Sequence, residues 1–318
     1  MLTFRTDTGM ILSGTTHPHR RSAMHVYKCN HPNISIGTFG PKEAKPYGLI
    51  GGWSLKSMQT PEDSYKQYGL TIGLRRALQS MEIRRAYAPN VASSSAVVVN
   101  ASTLNTRIKL GGRVCLYRKK QVPADAVFLR PNEAFVMSAA GCPVIIATAG
   151  EYMIVAHAGR DSLIERSAVL GAPAREHPSI VNAIIEAFDK KGFTVNQISM
   201  SMYLAIPAAV FEHRFEHPYY GAYNRALAKY VDDRWMGCTA YQNGSMFLDI
   251  ESVFIEQARQ AGLRYVWAAL SLDTCPDLVH TRTGENPHQR NLIVVRNDMV
   301  SPSDVPNDQQ SELQMAHA

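Results

Sequence analysis

Two residues in this chain stand out for chemistry: Cys142 and His157, at the two ends of the segment CPVIIATAGEYMIVAH. Cys142 opens one apolar run and His157 closes the next. Ala149–Gly150 lies between the runs, so the segment reads as a β-hairpin. With the turn centred there, Thr148 faces Glu151, Ile146 faces Met153, Val144 faces Val155, and Cys142 falls opposite His157. Directly opposed residues hold their Cβ atoms roughly 4.5–5.5 Å apart on one face of a sheet. A thiol and an imidazole would therefore meet at the open end of the hairpin. That meeting has three readings. The pair is a nucleophile and its base, the imidazole stabilising the thiolate; or it is two ligands of a zinc ion; or it is a buried cysteine beside a histidine satisfied by backbone. A turn with an odd number of residues would send the two side chains to opposite faces.

The surrounding elements follow from local pattern. Residues 1–33 are polar and aperiodic and are expected to form an irregular arm, followed by short strands broken by Gly and Pro over 34–55. TPEDSYKQYGLTIGLRRALQSM has a helix signature, with Thr60 to cap, Pro61 in the first turn and Glu62 and Asp63 at the positive end of the dipole. AVVVNASTLNTRIKL is β-rich, and strand-like stretches run from Asp125 to His157. DSLIERSAVL and HPSIVNAIIEAFDKKGF predict helices, SMSMYLAIP a strand. DIESVFIEQARQAGL puts Ile250, Val253, Phe254, Ala258 and Ala261 on one stripe, an amphipathic helix starting at Asp249. YVWAALSL and NLIVVRN predict further strands. The polar segment 300–318 is expected to be disordered. Without repeats or a long linker, one mixed α/β domain over 34–299 is the simplest architecture.

Composition excludes several classes. A chain of 318 residues that is 45% hydrophobic buries a sizeable core and is not a disordered protein. It holds no run of about twenty apolar residues, the length a membrane-spanning helix needs, so no membrane association is expected. The first residues lack the ordered sections of a secretory signal, which predicts a cytoplasmic protein. Five widely spaced cysteines without a CxxC pair speak against a disulfide framework or a zinc knot. The net charge of +6 is clustered between Arg107 and Arg130, where Asp125 is the lone acidic residue. Such a patch attracts anions. With no zinc-finger spacing and no RNP-like motif, nucleic acid is not the expected partner, and a small-molecule substrate, anionic or phosphate-bearing, is.

SAAGCPVIIATAGEYMIVAHAGRDSL resembles the signature of the laccase-domain family, formerly called multicopper polyphenol oxidoreductases, which includes the peptidoglycan editing factor and other YfiH-like proteins. That signature reads T-A-D-C-x-P, then Val or Ile, and after a hairpin A-H-A-G-W, then Arg or Lys, then Gly. The similarity continues through TPEDSYKQYGLTIGLRRAL, PADAVFLRPNEAF, LAIPAAVFEHRFE, FLDIESVFIEQARQAGL and CPDLVHTRTGENPHQRNLIVV, from about Ile34 to Val295. The resemblance implies an α/β fold with a mixed sheet, the laccase-domain or YfiH-like fold, shared distantly with the deamidase domain of cytotoxic necrotizing factor. It also implies a zinc held by one Cys and two His, and phosphorolysis or deamination of purine nucleosides. By position Cys142 matches the family cysteine and His157 the histidine of A-H-A-G.

The sequence departs from the pattern at three places. The second zinc histidine belongs to a Q-V-H-G motif, and the corresponding stretch here is Asn100–Ala101–Ser102–Thr103. No histidine lies between His31 and His157. The Asp before the cysteine is Gly141, and Arg160 directly follows Gly159 where the family has Trp. A third ligand would have to come from His213, His217 or His280. His213 and His217, four apart, would share a face on a helix, while the resemblance places them in a loop. Ser102, Thr103, Arg160, Arg282 and Arg290 are the candidate substrate contacts, the last two standing where the family's C-terminal arginines do. The expected function is zinc-assisted phosphorolysis or deamination of a purine nucleoside. Its alternatives are a metal-independent Cys–His hydrolase or acyl-transfer enzyme acting on an amide, ester or thioester, and an inactive ligand-binding protein.

Overall fold

The computed structural model describes residues 2–5, 11–14, 25–28, 34–39, 74–75, 77–79, 81–91, 96–119, 121–139, 141–173, 177–269, 271–272 and 291–298. His280, Arg282, Arg290 and the tail 300–318 lie outside the described residues. So does most of the helix expected from Thr60, of which 74–75 and 77–79 are helical.

Strands β1 (Leu2–Arg5) and β2 (Ile11–Gly14) pair with each other, and β3 (His25–Lys28) pairs with β4 (Ile34–Phe39). Residues 1–33, expected to be an irregular arm, thus carry three strands. Along the chain follow β5 (Arg85–Tyr87), β6 (Val98–Asn100), β7 (Thr106–Gly111), β8 (Val114–Arg118), β9 (Ala126–Leu129), β10 (Ala134–Ala139), β11 (Val144–Ala149) and β12 (Tyr152–His157). Two short helices, α1 (Arg160–Leu163) and α2 (Arg166–Val169), precede α3 (Ile180–Asp189), β13 (Ser199–Tyr203), β14 (Glu212–Arg214) and α4 (Gly221–Asp232). The chain then adds β15 (Thr239–Gln242), β16 (Ser245–Leu248), α5 (Ile250–Gln260), β17 (Tyr265–Ala268) and β18 (Asn291–Asn297). α5 starts at Asp249 as the sequence predicts, and the Asp249 carboxylate caps it, accepting from the Ser252 amide at 3.0 Å. The stretch expected as one helix over DSLIERSAVL is instead the pair α1 and α2, parted at Ile164, whose backbone is extended.

Two mixed sheets dominate. One runs β3-β4-β18-β10-β5-β8-β7, the other β17-β13-β11-β12-β9-β6, and a small sheet β14-β16-β15 lies apart. The two large sheets face each other. Val127, Leu129, Val144, Ile146, Met153 and Val155 of the six-stranded sheet pack with Phe135, Met137, Ile293 and Val295 of the seven-stranded one. Alternate residues of the same strands, such as Ala126, Phe128, Ile145 and Ile154, point the other way onto Ile184, Phe188, Val253 and Phe254 of α3 and α5. Beyond the seven-stranded sheet, Leu74 and Leu78 cover Ala86, Leu116 and Val294. The layers are helix, sheet, sheet, helix. β11 and β12 therefore have both faces buried, which is why their sequence is a continuous apolar run rather than an alternation. Each fully buried aliphatic side chain contributes about 1.5–3 kcal/mol, so this central hairpin is a rigid platform. Most of the clustered basic charge sits outside it: Arg107, Lys109 and Arg113 are exposed on the edge hairpin β7–β8, where they also discourage strand addition.

The hairpin register differs from the expected one. Val144 pairs with His157, Ile146 with Val155 and Ala149 with Tyr152, so the two-residue turn is Gly150–Glu151. Gly150 has φ +57°, and the first central position of a type II′ turn is where glycine is required. Sliding the turn by one residue moves each partner by two. Faces are preserved, and Cys142, two residues before Val144, remains on the face that carries His157. No helix among the described residues is long and apolar enough to cross a membrane.

Candidate active site

Cys142 follows the end of β10 and precedes β11; His157 is the last residue of β12. Main-chain hydrogen bonds fasten this open end. The Ala158 amide donates to the Pro143 carbonyl at 2.9 Å and the His157 amide to the Asp125 carbonyl at 2.8 Å. Gly141 has φ +110°, a conformation that side-chain-bearing residues rarely adopt. Glycine at 141 is thus tied to a backbone bend that only glycine takes without strain.

Asp125 stands just before β9, fully buried, and β9 pairs with β12 through Ala126 and Ala156. That pairing brings the Asp125 carboxylate 3.3 Å from His157 Nδ1. Its other oxygen accepts from the Ala96 amide at 2.8 Å, which fixes the carboxylate's direction. The buried Ser162 hydroxyl is 3.4 Å from the same Nδ1. With Nδ1 engaged by Asp125, Nε2 is the ring nitrogen left to meet Cys142. Both Nε2 and the Cys142 sulfur lie against the α-carbon of Gly159: a Cβ there would stand 2.9 Å from Nε2 and 3.5 Å from Sγ. The order is sulfur, imidazole, carboxylate.

Electrostatics follow from that order. Burial alone would push the His157 pKa down. The negative charge of the Cys142 sulfur, then the hydrogen bond to Asp125, overcome it and push the imidazole up to about 10. The direction is toward the charged imidazolium, held between the Cys142 sulfur and the Asp125 carboxylate. Cys238, by contrast, is buried near Asp249 and its thiol is pushed up to about 11, and Cys115 is buried beside the Arg107 guanidinium. Of the described cysteines Cys142 is the partly accessible one.

Beyond Gly159 the chain turns into α1, and Arg160 opens a cleft of about 650 Å³. The cleft is lined by Arg160, Arg166, Glu212, His213, Arg214 and His217, among others. Two of the candidate metal histidines therefore share one cleft. His213 is the buried middle residue of β14 rather than part of a loop or helix, its Nδ1 3.0 Å from the Phe211 carbonyl. Ser102 and Thr103 occupy a 3-10 turn after the edge strand β6, Ser102 exposed. Among the described residues, no group of three or more His, Cys, Asp and Glu side chains comes together to hold a metal ion. Cys142 and His157 supply two donors, and the described residues do not complete a zinc site around them.

Asp125 is the partner of His157 that local spacing does not reveal; its one sequence signal is a lone carboxylate in a basic segment, placed directly before a wholly apolar strand.

No protein-family model matches the sequence, and no curated protein matches it. Solved structures do match in three dimensions. Neisseria meningitidis protein NMB0706, described as DUF152, is 16% identical, with a TM-score of 0.54 over 90% of this chain and 99% of that one. YlmD from Geobacillus stearothermophilus is 12% identical, with a TM-score of 0.59 over 90% and 99%. The hypothetical protein YfiH of Bacillus licheniformis is 12% identical, with a TM-score of 0.58 over 88% and 98%. The chain has the DUF152 fold. This is the YfiH-like α/β architecture that the motif resemblance implies, and at such identities the likeness is one of fold. The DUF152 fold places Cys142 and His157 at the end of a doubly buried hairpin; what they do there has to be argued from their own chemistry.

Proposed function

We propose that this protein is a cysteine-dependent enzyme that attacks the carbonyl carbon of an amide, ester or thioester. Cys142 is the nucleophile, His157 the acid and base, and Asp125 the residue that positions the imidazole. The single observation that carries this reading is the placement of His157 between Cys142 and Asp125, Nδ1 against the carboxylate and Nε2 packed with the sulfur against Gly159.

The steps follow from the residues. The Cys142 thiolate attacks the carbonyl carbon and a C–S bond forms. As the tetrahedral centre collapses, the bond to the leaving amine, alcohol or thiol breaks, and that group takes the proton from His157 Nε2. Neutral His157 then accepts a proton from water, or from a second acceptor, which attacks the thioester. The C–S bond breaks and the thiolate–imidazolium pair is restored. Asp125 keeps Nδ1 protonated throughout and steadies the imidazolium.

A second reading, zinc-assisted phosphorolysis or deamination of a purine nucleoside, is favoured by one feature of the same geometry. A carboxylate on Nδ1 also orients metal-binding histidines, leaving Nε2 for the ion. Cys142 and His157 would hold the zinc, and the ion would polarise the attacking group when bound. A third protein ligand is needed, and none of the described residues supplies it at this position.

The test is the rate of Cys142 alkylation by iodoacetamide against pH, followed by peptide mass spectrometry, in wild type and His157→Ala. We expect rapid alkylation at pH 6–7 in wild type and a rate about tenfold lower or less in the variant, because the imidazolium that stabilises the thiolate is gone. A Cys142 that reacts like an ordinary thiol in both proteins would remove the nucleophile and leave a ligand-binding protein.

A further inference from the structure

The cleft lined by Arg160 begins one residue beyond Gly159, against which the Cys142 sulfur packs, and its charges are unevenly satisfied. Arg160 Nε donates to the Asp161 carboxylate at 2.7 Å. Arg214 Nε donates to Glu212 at 3.1 Å, and Glu212 also accepts from the Ser245 hydroxyl at 2.7 Å. Arg166 differs. Its guanidinium lies 4.8 Å from the centre of the Tyr223 ring, which also carries the Arg160 guanidinium at 5.0 Å, and among the described residues it has no carboxylate partner. Two guanidiniums on one ring, with one counter-ion between them, leave net positive charge facing the cleft.

His217 adds a donor. Its Nδ1 accepts from the amides of Tyr219 and Tyr220, both at 3.2 Å, so Nδ1 carries no hydrogen and Nε2 carries one. The same two amides precede α4, a 12-residue helix whose positive end opens toward the cleft at Tyr220 and Asn224. The Arg166 guanidinium, the Nε2–H group and the helix end all favour negative charge.

We propose that this cleft receives an anionic group of the substrate, a phosphate or a carboxylate, with Arg166 as its main ligand and His217 Nε2–H as the second. The inference rests on the reading of Cys142 as the reacting centre: the cleft and the sulfur are separated by Gly159–Arg160, so an anion held at Arg166 presents the neighbouring part of the same molecule to the thiolate. Arg160, tied to Asp161, forms the wall between the two.

Calorimetric titrations of the full chain with inorganic phosphate, and separately with acetate, test it. We expect one of the two to bind wild type, which names the anion. Arg166→Gln should weaken that binding about tenfold or more, the worth of one charged hydrogen bond. His217→Asn, which keeps an acceptor for the α4 amides and removes the Nε2–H donor, should weaken it severalfold. Circular dichroism confirms that both variants fold. The saturating anion should also change the alkylation rate of Cys142. Binding of neither anion, or binding indifferent to both substitutions, overturns the proposal, and an alkylation rate untouched by a saturating anion overturns the link to the sulfur. Cys142→Ser, which should bind the anion as wild type does, separates the two ideas: Arg166-dependent binding beside an inert Cys142 would keep the anion site and remove the catalytic reading.

Discussion

The imidazole of His157 fills the space in which a side chain at residue 159 would have to stand. A Cβ on Gly159 would lie 2.8 Å from His157 Cε1 and 2.9 Å from Nε2, closer than Cβ atoms come. The backbone of Gly159 is ordinary, with φ −60°, so glycine is kept here for room and not for conformation. Because Asp125 and the β9–β12 pairing hold the ring from the other side, a methyl group would have to displace the ring itself.

Gly159→Ala is therefore expected to leave the fold nearly intact while lowering Cys142 alkylation about tenfold at neutral pH, as a displaced imidazolium no longer faces the thiolate. Alkylation kinetics beside a thermal melt would show it. An alkylation rate equal to wild type would mean that the ring yields without cost and that its position is not decisive.

The charge on His157 makes stability depend on pH. Its value is 6.5 in a model peptide and about 10 in the folded protein. A raised folded value means that the stabilisation is complete below pH 6.5 and is lost as pH rises through 10. Asp125→Asn keeps an acceptor for the Ala96 amide and removes the partner of the imidazolium. It should cost about 1.5–3 kcal/mol at neutral pH, the worth of a charged buried hydrogen bond, and clearly less near pH 11, where the imidazole is neutral. Urea unfolding at the two pH values measures this; a cost that does not change with pH would assign Asp125 to holding Ala96 alone.

Much of this site was legible in the sequence, and the illegible part has a physical cause. The hairpin that brings Cys142 and His157 to one face follows from two apolar runs around a glycine. The register was one residue out at the turn, because Ala149–Gly150 and Gly150–Glu151 both make a two-residue loop, and only the preference for glycine at the first central position separates them. Asp125 was not legible as the partner of His157, since strand pairing between β9 and β12, and not local spacing, joins them. The cleft is harder still: Arg166, His213 and His217 come from separate stretches, and neither a helical spacing nor a loop describes His213, which sits in a strand. The amphipathic α5 and its start at Asp249, by contrast, are local and are legible in the sequence.

Gly141 carries the bend that leads into Cys142. With φ +110°, it occupies a region that costs other residues about 1–3 kcal/mol. Gly141→Ala should lower the urea midpoint by that order and also slow Cys142 alkylation, because the strain relaxes by moving the sulfur away from Nε2. Loss of stability with unchanged alkylation would separate the bend from the chemistry.

The thiolate and zinc readings differ most sharply in what a chelator does. In the thiolate reading the imidazolium stabilises the sulfur, and no metal ion is bound to it. Dialysis against a chelator should then leave the alkylation rate of Cys142 where it was, and metal analysis of wild type and Cys142→Ala, purified side by side, should give the same zinc content. In the zinc reading the sulfur is a ligand, its lone pair committed to the ion, so alkylation should accelerate when the metal is removed. About one zinc per chain in wild type, absent from Cys142→Ala, would hand the site to nucleoside chemistry and require a third ligand. His280 would then be the residue to replace, since His213 is fixed in β14 and His217 Nδ1 already serves the α4 amides.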